Sequence, residues 1–275
     1  DLDSLIKAAH KIEEGKPITE EERRLLLGGT SMGGARPKTV IENQKALWLA
    51  KFPAHDDRNN FSKIEYATMK LASDCGIRVP QLRLKKIGKH DVILIKRFDR
   101  EWDPTGKSYF RNHFVSGLTV LNIDETDRDR FSYIDLAAQM RRWIPKPKED
   151  LQEMYRRIIF NALISNEDDH PRNHGFIYDS KSFHLSMVYD LVPRPSTGTT
   201  RYSAMTIGEQ GRIFTKKNIF SKCEDFQYKK EEAIALFKLM QTKVSGWQRY
   251  FKKVDLSESD FNYLESAFNC EGLNY

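Results

Sequence analysis

One polar run constrains this chain more than any other feature: Asn166-Glu167-Asp168-Asp169-His170-Pro171-Arg172-Asn173-His174. It follows a strongly amphipathic stretch in which Leu151, Met154, Tyr155, Ile158, Ile159, Ala162 and Leu163 recur at helical spacing. β-like runs at 175–179 and 183–189 come next, and the second closes on Val188-Tyr189-Asp190-Leu191. Asp168 and Asn173 lie five positions apart, and Asp190 lies twenty-two beyond Asp168. Taken alone, this spacing also suits a solvated acidic loop whose Asp and Asn side chains make turns. Asp168, Asp169, His170 and His174 would suit a hydrolytic metal cluster, but the two-histidine helical spacing that makes such a cluster specific is missing.

The upstream sequence supplies what phosphate chemistry needs. Four of the chain's fifteen glycines fall within Gly28-Gly29-Thr30-Ser31-Met32-Gly33-Gly34. Glycines let backbone N–H groups approach a phosphate closely. The β-like run Ala46–Phe52 carries Lys51 at its end, a compact cation able to reach phosphates. A helix over 62–75 carries Glu65 near its start. Glu65 stands at capping-box spacing from Ser62, so it either completes that cap or pairs with Lys51. The loop is not the P-loop of ATPases, because Lys38 follows Arg36-Pro37 rather than a glycine. Gly-rich loop, strand lysine, helix glutamate, Asp-x4-Asn and a post-strand Asp stand in the order of a protein kinase. There one carboxylate takes the proton of the attacking hydroxyl, while an amide and a second carboxylate hold Mg²⁺ through oxygen.

The rest of the pattern agrees with an α+β, protein-kinase-like, two-lobed fold. Helical spacing is expected over 3–27 and β-like runs at 39–41, 46–52, 81–87 and 91–98. From about residue 131 the chain turns helical, with closing helices over 230–252 and 258–268. The change falls where Asp99, Asp103, Pro104 and Gly106 cluster. Residues 1–98 are expected to form a sheet-rich N-terminal lobe with the Gly-rich loop and the ATP lysine. Residues 99–275 are expected to form a mainly helical C-terminal lobe, with ATP between the two. Trp247, Tyr250 and Phe251 are expected in the core.

On these residues the chain resembles the HipA family of bacterial toxin serine/threonine kinases. The resemblance runs from Gly28 to about Leu191. Its pieces are Ser31-Met32-Gly33-Gly34-Ala35-Arg36-Pro37-Lys38, Ile64-Glu65-Tyr66 to Gly76-Ile77-Arg78-Val79-Pro80, Arg97-Phe98-Asp99-Arg100, Asn166 to Asn173 and Tyr189-Asp190. It implies that Asp168 is the catalytic base and that Asn173 and Asp190 hold Mg²⁺. It implies that Gly33, Gly34, Ala35 and Lys51 meet the ATP phosphates. Lys96 and Phe98 would lie at the adenine hinge, and His170 and Tyr189 would line the nucleotide site. Ser31 stands where family members carry an autophosphorylated serine; phosphate there would expel the loop by its charge. The implied partners are a protein substrate of translation, such as an aminoacyl-tRNA synthetase, and a helix-turn-helix antitoxin that binds operator DNA. DNA would be met only through that antitoxin. Only about 27 residues precede Gly28, fewer than in larger HipA proteins. A HipT-like short form is therefore expected, with the N-terminal subdomain supplied by a separate small protein or removed. Two other readings compete: a catalytically weak co-repressor module acting with the antitoxin, and a kinase for small hydroxyl compounds.

Composition narrows the setting. The chain has 275 residues, 39% hydrophobic and 11% aromatic, enough for a packed core and against disorder. Its net charge of +6 has no basic block long enough to read as a nucleic-acid tail. The longest apolar runs are four or five residues, so no membrane partner is expected. Three well-separated cysteines, Cys75, Cys223 and Cys270, make no disulfide framework and fit a reducing cytoplasm.

Overall fold

Val92-Ile93-Leu94-Ile95 is apolar without alternation because both faces of its strand are covered. The structure is a computed structural model that describes residues 37–195 and 198–269, with Lys11, Lys16, Pro17, Thr19, Glu20 and Leu273. The Gly-rich loop, with Ser31, Gly33, Gly34 and Ala35, lies outside the described residues, as does nearly all of the helix expected over 3–27. The apolar run belongs to a four-stranded antiparallel sheet of β1 (Lys38–Asn43), β2 (Ala46–Lys51), β3 (Leu82–Ile87) and β4 (His90–Lys96), in spatial order β1-β2-β4-β3. Val92 and Leu94 join Trp48, Ala50 and Phe52 on one face. Ile93 and Ile95 join the main core on the other, with Ile64, Ala67 and Leu71 of helix α1 (Phe61–Asp74). Lys51 pairs with both Lys38 and Ile93, which fixes the last residue of β2 at the sheet's α1-side end.

Three local expectations change. The cap of α1 is Asn60, whose side chain accepts from the Lys63 N–H at 3.1 Å, so the Ser62–Glu65 spacing is not a capping box. The strand expected to reach Phe98 ends at Lys96. A hairpin then follows, β5 (Arg100–Asp103) and β6 (Ser108–Arg111). Its turn is held by Asp103, which accepts from Thr105 N–H at 2.8 Å, and its strands by the facing pair Trp102 and Tyr109, 5.1 Å apart. The hairpin forms its own two-stranded sheet and touches the first one where Tyr109 OH donates to Glu42 Oε1 at 2.9 Å.

The chain then passes through β7 (Phe114–Ser116), α2 (Gly117–Leu121), α3 (Tyr133–Trp143) and α4 (Lys148–Leu163). β8 (Gly175–Tyr178) and β9 (Phe183–Leu185) join β7 in an antiparallel sheet of order β7-β8-β9. Gly117 sits where this sheet meets the polar loop: a Cβ there would lie 2.6 Å from the Pro171 carbonyl oxygen, so no side chain fits without moving that loop. α5 (Lys216–Ser221), α6 (Lys230–Ser245), α7 (Gln248–Lys252) and α8 (Glu258–Glu265) close the fold. The single helix expected over 230–252 is broken at Gly246, the C-cap of α6. Trp247 and Phe251 are buried beside it, and Trp247 stacks on Phe268 at 4.3 Å. Among the described residues no helix is long and apolar enough to cross a membrane.

Candidate active site

The end of β2 and the second turn of α1 face each other across the sheet edge. Lys51 Nζ donates to Glu65 Oε1 at 2.7 Å and to Asp190 Oδ1 at 2.9 Å. The Lys51 and Glu65 side chains are buried, whereas that of Asp190 is 57% exposed. Burial alone would lower the Lys51 pKa; the Glu65 and Asp190 carboxylates outweigh it and hold the ammonium charged above its usual range. Burial pushes the Glu65 carboxyl up, and Lys51 pulls against it. Lys51 holds Asp190 below the usual carboxylate range. Asp190 has φ +59°, a left-handed conformation that Asp tolerates better than most residues and that aims its side chain back at Lys51.

The polar loop is built from the end of α4. Ser165, at φ +52°, turns the chain, and Asn166 returns its N–H to the Asn161 carbonyl at 2.8 Å. Inside the loop, the Asp169 carboxylate is buried and takes three donors. These are Tyr133 OH, Asn161 Nδ2 at 2.6 Å and His174 Nε2 at 3.0 Å. Burial would raise its pKa; His174 and the hydrogen bonds outweigh that and hold it below the usual range. Asp168 points the other way, 58% exposed, and accepts from Arg194. Asn173 Nδ2 donates to the Asp168 carbonyl at 3.2 Å, which turns its amide oxygen outward from that bond. So Asp168 and Asp169 diverge, and the four-residue cluster of Asp168, Asp169, His170 and His174 does not converge on one ion. Among the described residues no three His, Cys, Asp or Glu side chains form a metal cage.

Asp169 should therefore dominate the loop's stability. Asp169→Ala strands three buried donors and is expected to cost about 3 kcal/mol at pH 7, read by urea unfolding. A carboxylate whose folded pKa is depressed contributes stability that is in place above its unfolded value, about 3.9, and is lost as pH falls through the folded value. The variant's stability should accordingly depend less on pH below 4 than that of the wild type.

Lys51, Glu65, Asp168, His170, Asn173 and Asp190 line one cavity of about 370 Å³, joined by Lys38 and Arg194. His170 Nδ1 is buried there with no hydrogen-bond partner, a polar atom that a bound ligand can satisfy. Phe98 and Tyr189 are brought together elsewhere. Their rings stack at 6.3 Å with Phe114 beside them, and Tyr189 OH donates to the Arg172 carbonyl at 2.8 Å. Neither lines that cavity; Phe98 lines a separate hollow of about 240 Å³. Lys96 ends β4 with an exposed side chain, and its N–H is taken by the Gln81 carbonyl at 2.9 Å. Asp99 is held between Arg97, at 2.6 and 2.9 Å, and Arg100 at 2.6 Å, which accounts for the Arg-Phe-Asp-Arg pattern as a strut behind Phe98. Sequence reasoning missed Arg194 and the hub role of Asp169. Burial decides the second, and no local pattern signals the first.

Residues 30–247 match the HipA-like C-terminal domain. The chain belongs to that family. A Haemophilus influenzae protein provisionally designated a kinase is 26% identical over 183 residues, 60% of this chain and 52% of that protein. The serine/threonine-protein kinase toxin HipA of Shewanella oneidensis is 27% identical over 146 residues, 46% of this chain and 33% of that protein. The chain thus spans about half or less of these relatives. Among solved structures, the Shewanella oneidensis HipA, in complex with HipB and operator DNA, superposes with TM-score 0.67 at 18% identity, over 87% of this chain and 63% of that one. The Helicobacter pylori proinflammatory kinase CtkA superposes with TM-score 0.60 at 14% identity, over 86% of this chain and 88% of that one. The fold of this HipA-like chain is kinase-like.

Proposed function

We propose that this HipA-like chain is a Mg²⁺/ATP-dependent serine/threonine protein kinase of a toxin-antitoxin system. The observation that carries the reading is Lys51 Nζ spanning Glu65 and Asp190 in the wall of the cavity that Asp168 and Asn173 also line. In this reading residues up to about 98 form the nucleotide-cradling lobe and the remainder the catalytic lobe. Lys51, kept charged and aimed by Glu65, orients the ATP phosphates. Asp190 and the Asn173 amide oxygen are hard oxygen donors that fit Mg²⁺, an ion content with one or two protein ligands plus phosphate and water. When bound, Mg²⁺ neutralises phosphate charge. Asp168 accepts the proton of the attacking hydroxyl, which must first take the place of Arg194 on that carboxylate. Phe98 and Tyr189 offer the adenine an aromatic wall, with the backbone near Lys96 as hinge. Gly33, Gly34 and Ala35 cover the phosphates, and Ser31 beside them accepts a phosphate that switches the enzyme off.

The target class is a protein of translation such as an aminoacyl-tRNA synthetase. The neutralising partner is a helix-turn-helix antitoxin that reaches operator DNA, by likeness to the HipA solved with HipB and DNA. The site of action is the cytoplasm. The same likeness favours one second reading, a co-repressor with weak catalysis. Intact mass before and after MgATP, for wild type and Ser31→Ala, separates the two. A gain of one phosphate in wild type only supports the kinase reading and the Ser31 assignment. ATP binding with no transfer to itself or to any protein of a lysate supports the co-repressor.

A further inference from the structure

We propose that Asp260, remote in sequence from the site, is a positioning residue that holds Glu65 against Lys51 through the N-terminus of α1. The inference rests on the reading of Lys51 and Glu65 as nucleotide-site residues. α1 is gripped at both ends by the C-terminal helices. At its start, Asp260 Oδ1 accepts from Asn59 Nδ2 at 2.8 Å and from the Asn60 N–H at 3.2 Å. Its Oδ2 accepts from Ser257 Oγ at 2.7 Å, and Ser257 caps α8. Asp260 as a whole is 5% exposed. Asn60 is itself the cap of α1, and its Nδ2 donates to Asp91 Oδ2 on β4 at 2.7 Å. Lys63 Nζ donates to the Asp255 carbonyl at 2.8 Å, and Phe61 meets Tyr263 edge-on at 6.4 Å. At its far end, Asp74 accepts from Tyr250 OH, and its carbonyl accepts from Lys243.

Glu65 lies five residues from the Asn60 cap, roughly 7.5 Å along a stiff helix. A tilt of the helix start by about 1 Å carries Glu65 with it. A bond of 2.7 Å stretched that far ceases to be a hydrogen bond. The segment from Asp255 to Tyr263 is therefore a clamp on α1, and through it on the ammonium that orients phosphate.

The test is a double-mutant cycle read by ADP formation from MgATP, with amide hydrogen exchange over residues 61–68 as a second readout. Asp260→Ala should lower kcat by about tenfold; in a Glu65→Gln background the same change should cost less than about twofold. Asp260→Asn, which keeps the Oδ1 acceptor, should restore most of the rate. Exchange in the first turns of α1 should accelerate in Asp260→Ala. Equal losses in both backgrounds, an Asn variant as impaired as the Ala variant, or unchanged exchange would each overturn the proposal. If Asp260→Ala does not fold, Asn59→Ala removes one of the same bonds and takes its place in the cycle. If the wild type forms no ADP, the kinase reading fails, and exchange alone decides the clamp: acceleration supports it and no change overturns it.

Discussion

Replacing Asp168 by alanine is expected to lower phosphoryl transfer by about 10²–10⁴, while ATP affinity changes by less than about threefold. The geometry makes this separation possible. Asp168 touches Arg194 and not Lys51, and more than half of its side chain is exposed, so neither the phosphate cation nor the core leans on it. The loop is held by Asp169 instead, on the opposite side of the backbone. Single-turnover rate, ATP titration and a melting curve on one preparation check the lost rate, the kept affinity and an unchanged melting temperature. A variant that binds ATP poorly but transfers phosphate at the wild-type rate would remove Asp168 from the role of base.

Lys51→Met should be the most destabilising single change at the site, by about 3–5 kcal/mol near pH 8, because it leaves Glu65 buried without its cation. The loss should shrink as pH falls. Burial already pushes the Glu65 carboxyl up, and without Lys51 only the weaker pull of Lys38 opposes that push. A folded pKa raised above the unfolded value, about 4.3, means that the folded state takes up a proton first, so stability is gained on going down in pH and lost on going up. Between pH 8 and 5 the variant should therefore recover toward the wild type. Adding Glu65→Gln should recover much of it at any pH. Urea unfolding across that range checks the claim. A loss that is the same at pH 5 and pH 8 would mean that Lys51 contributes by packing its stem rather than by its charge.

Much of this arrangement was readable from residue order. Lys51 at a strand end, Glu65 near the start of the next helix and Asp190 after a later strand were legible because each has a fixed place in the order of regular elements. What spacing cannot show is facing. Ser62 and Glu65 have the interval of a cap, yet Asn60 caps the helix, because the first turn is fixed by its contacts to Asp91 and Asp260. Asp168 and Asp169 are chemically alike in sequence, and only burial sends one to the cavity and the other into the core. The β5–β6 hairpin escaped notice because its strands are short and charged, and its turn residues read equally well as a boundary. The clamp by Asp260 joins residues some 200 positions apart, a distance over which no local pattern speaks.

The backbone at Asp190 also shapes how this chain would decay if its chemistry ceased to be used. A left-handed φ excludes β-branched and bulky residues and penalises alanine, whereas Asn and Gly enter without strain. Drift at this position is thus channelled by folding rather than by catalysis. A lineage that had lost phosphoryl transfer would tend to carry Asn or Gly after its tyrosine, and that pair of letters would mark a silenced copy in a genome before any assay was run.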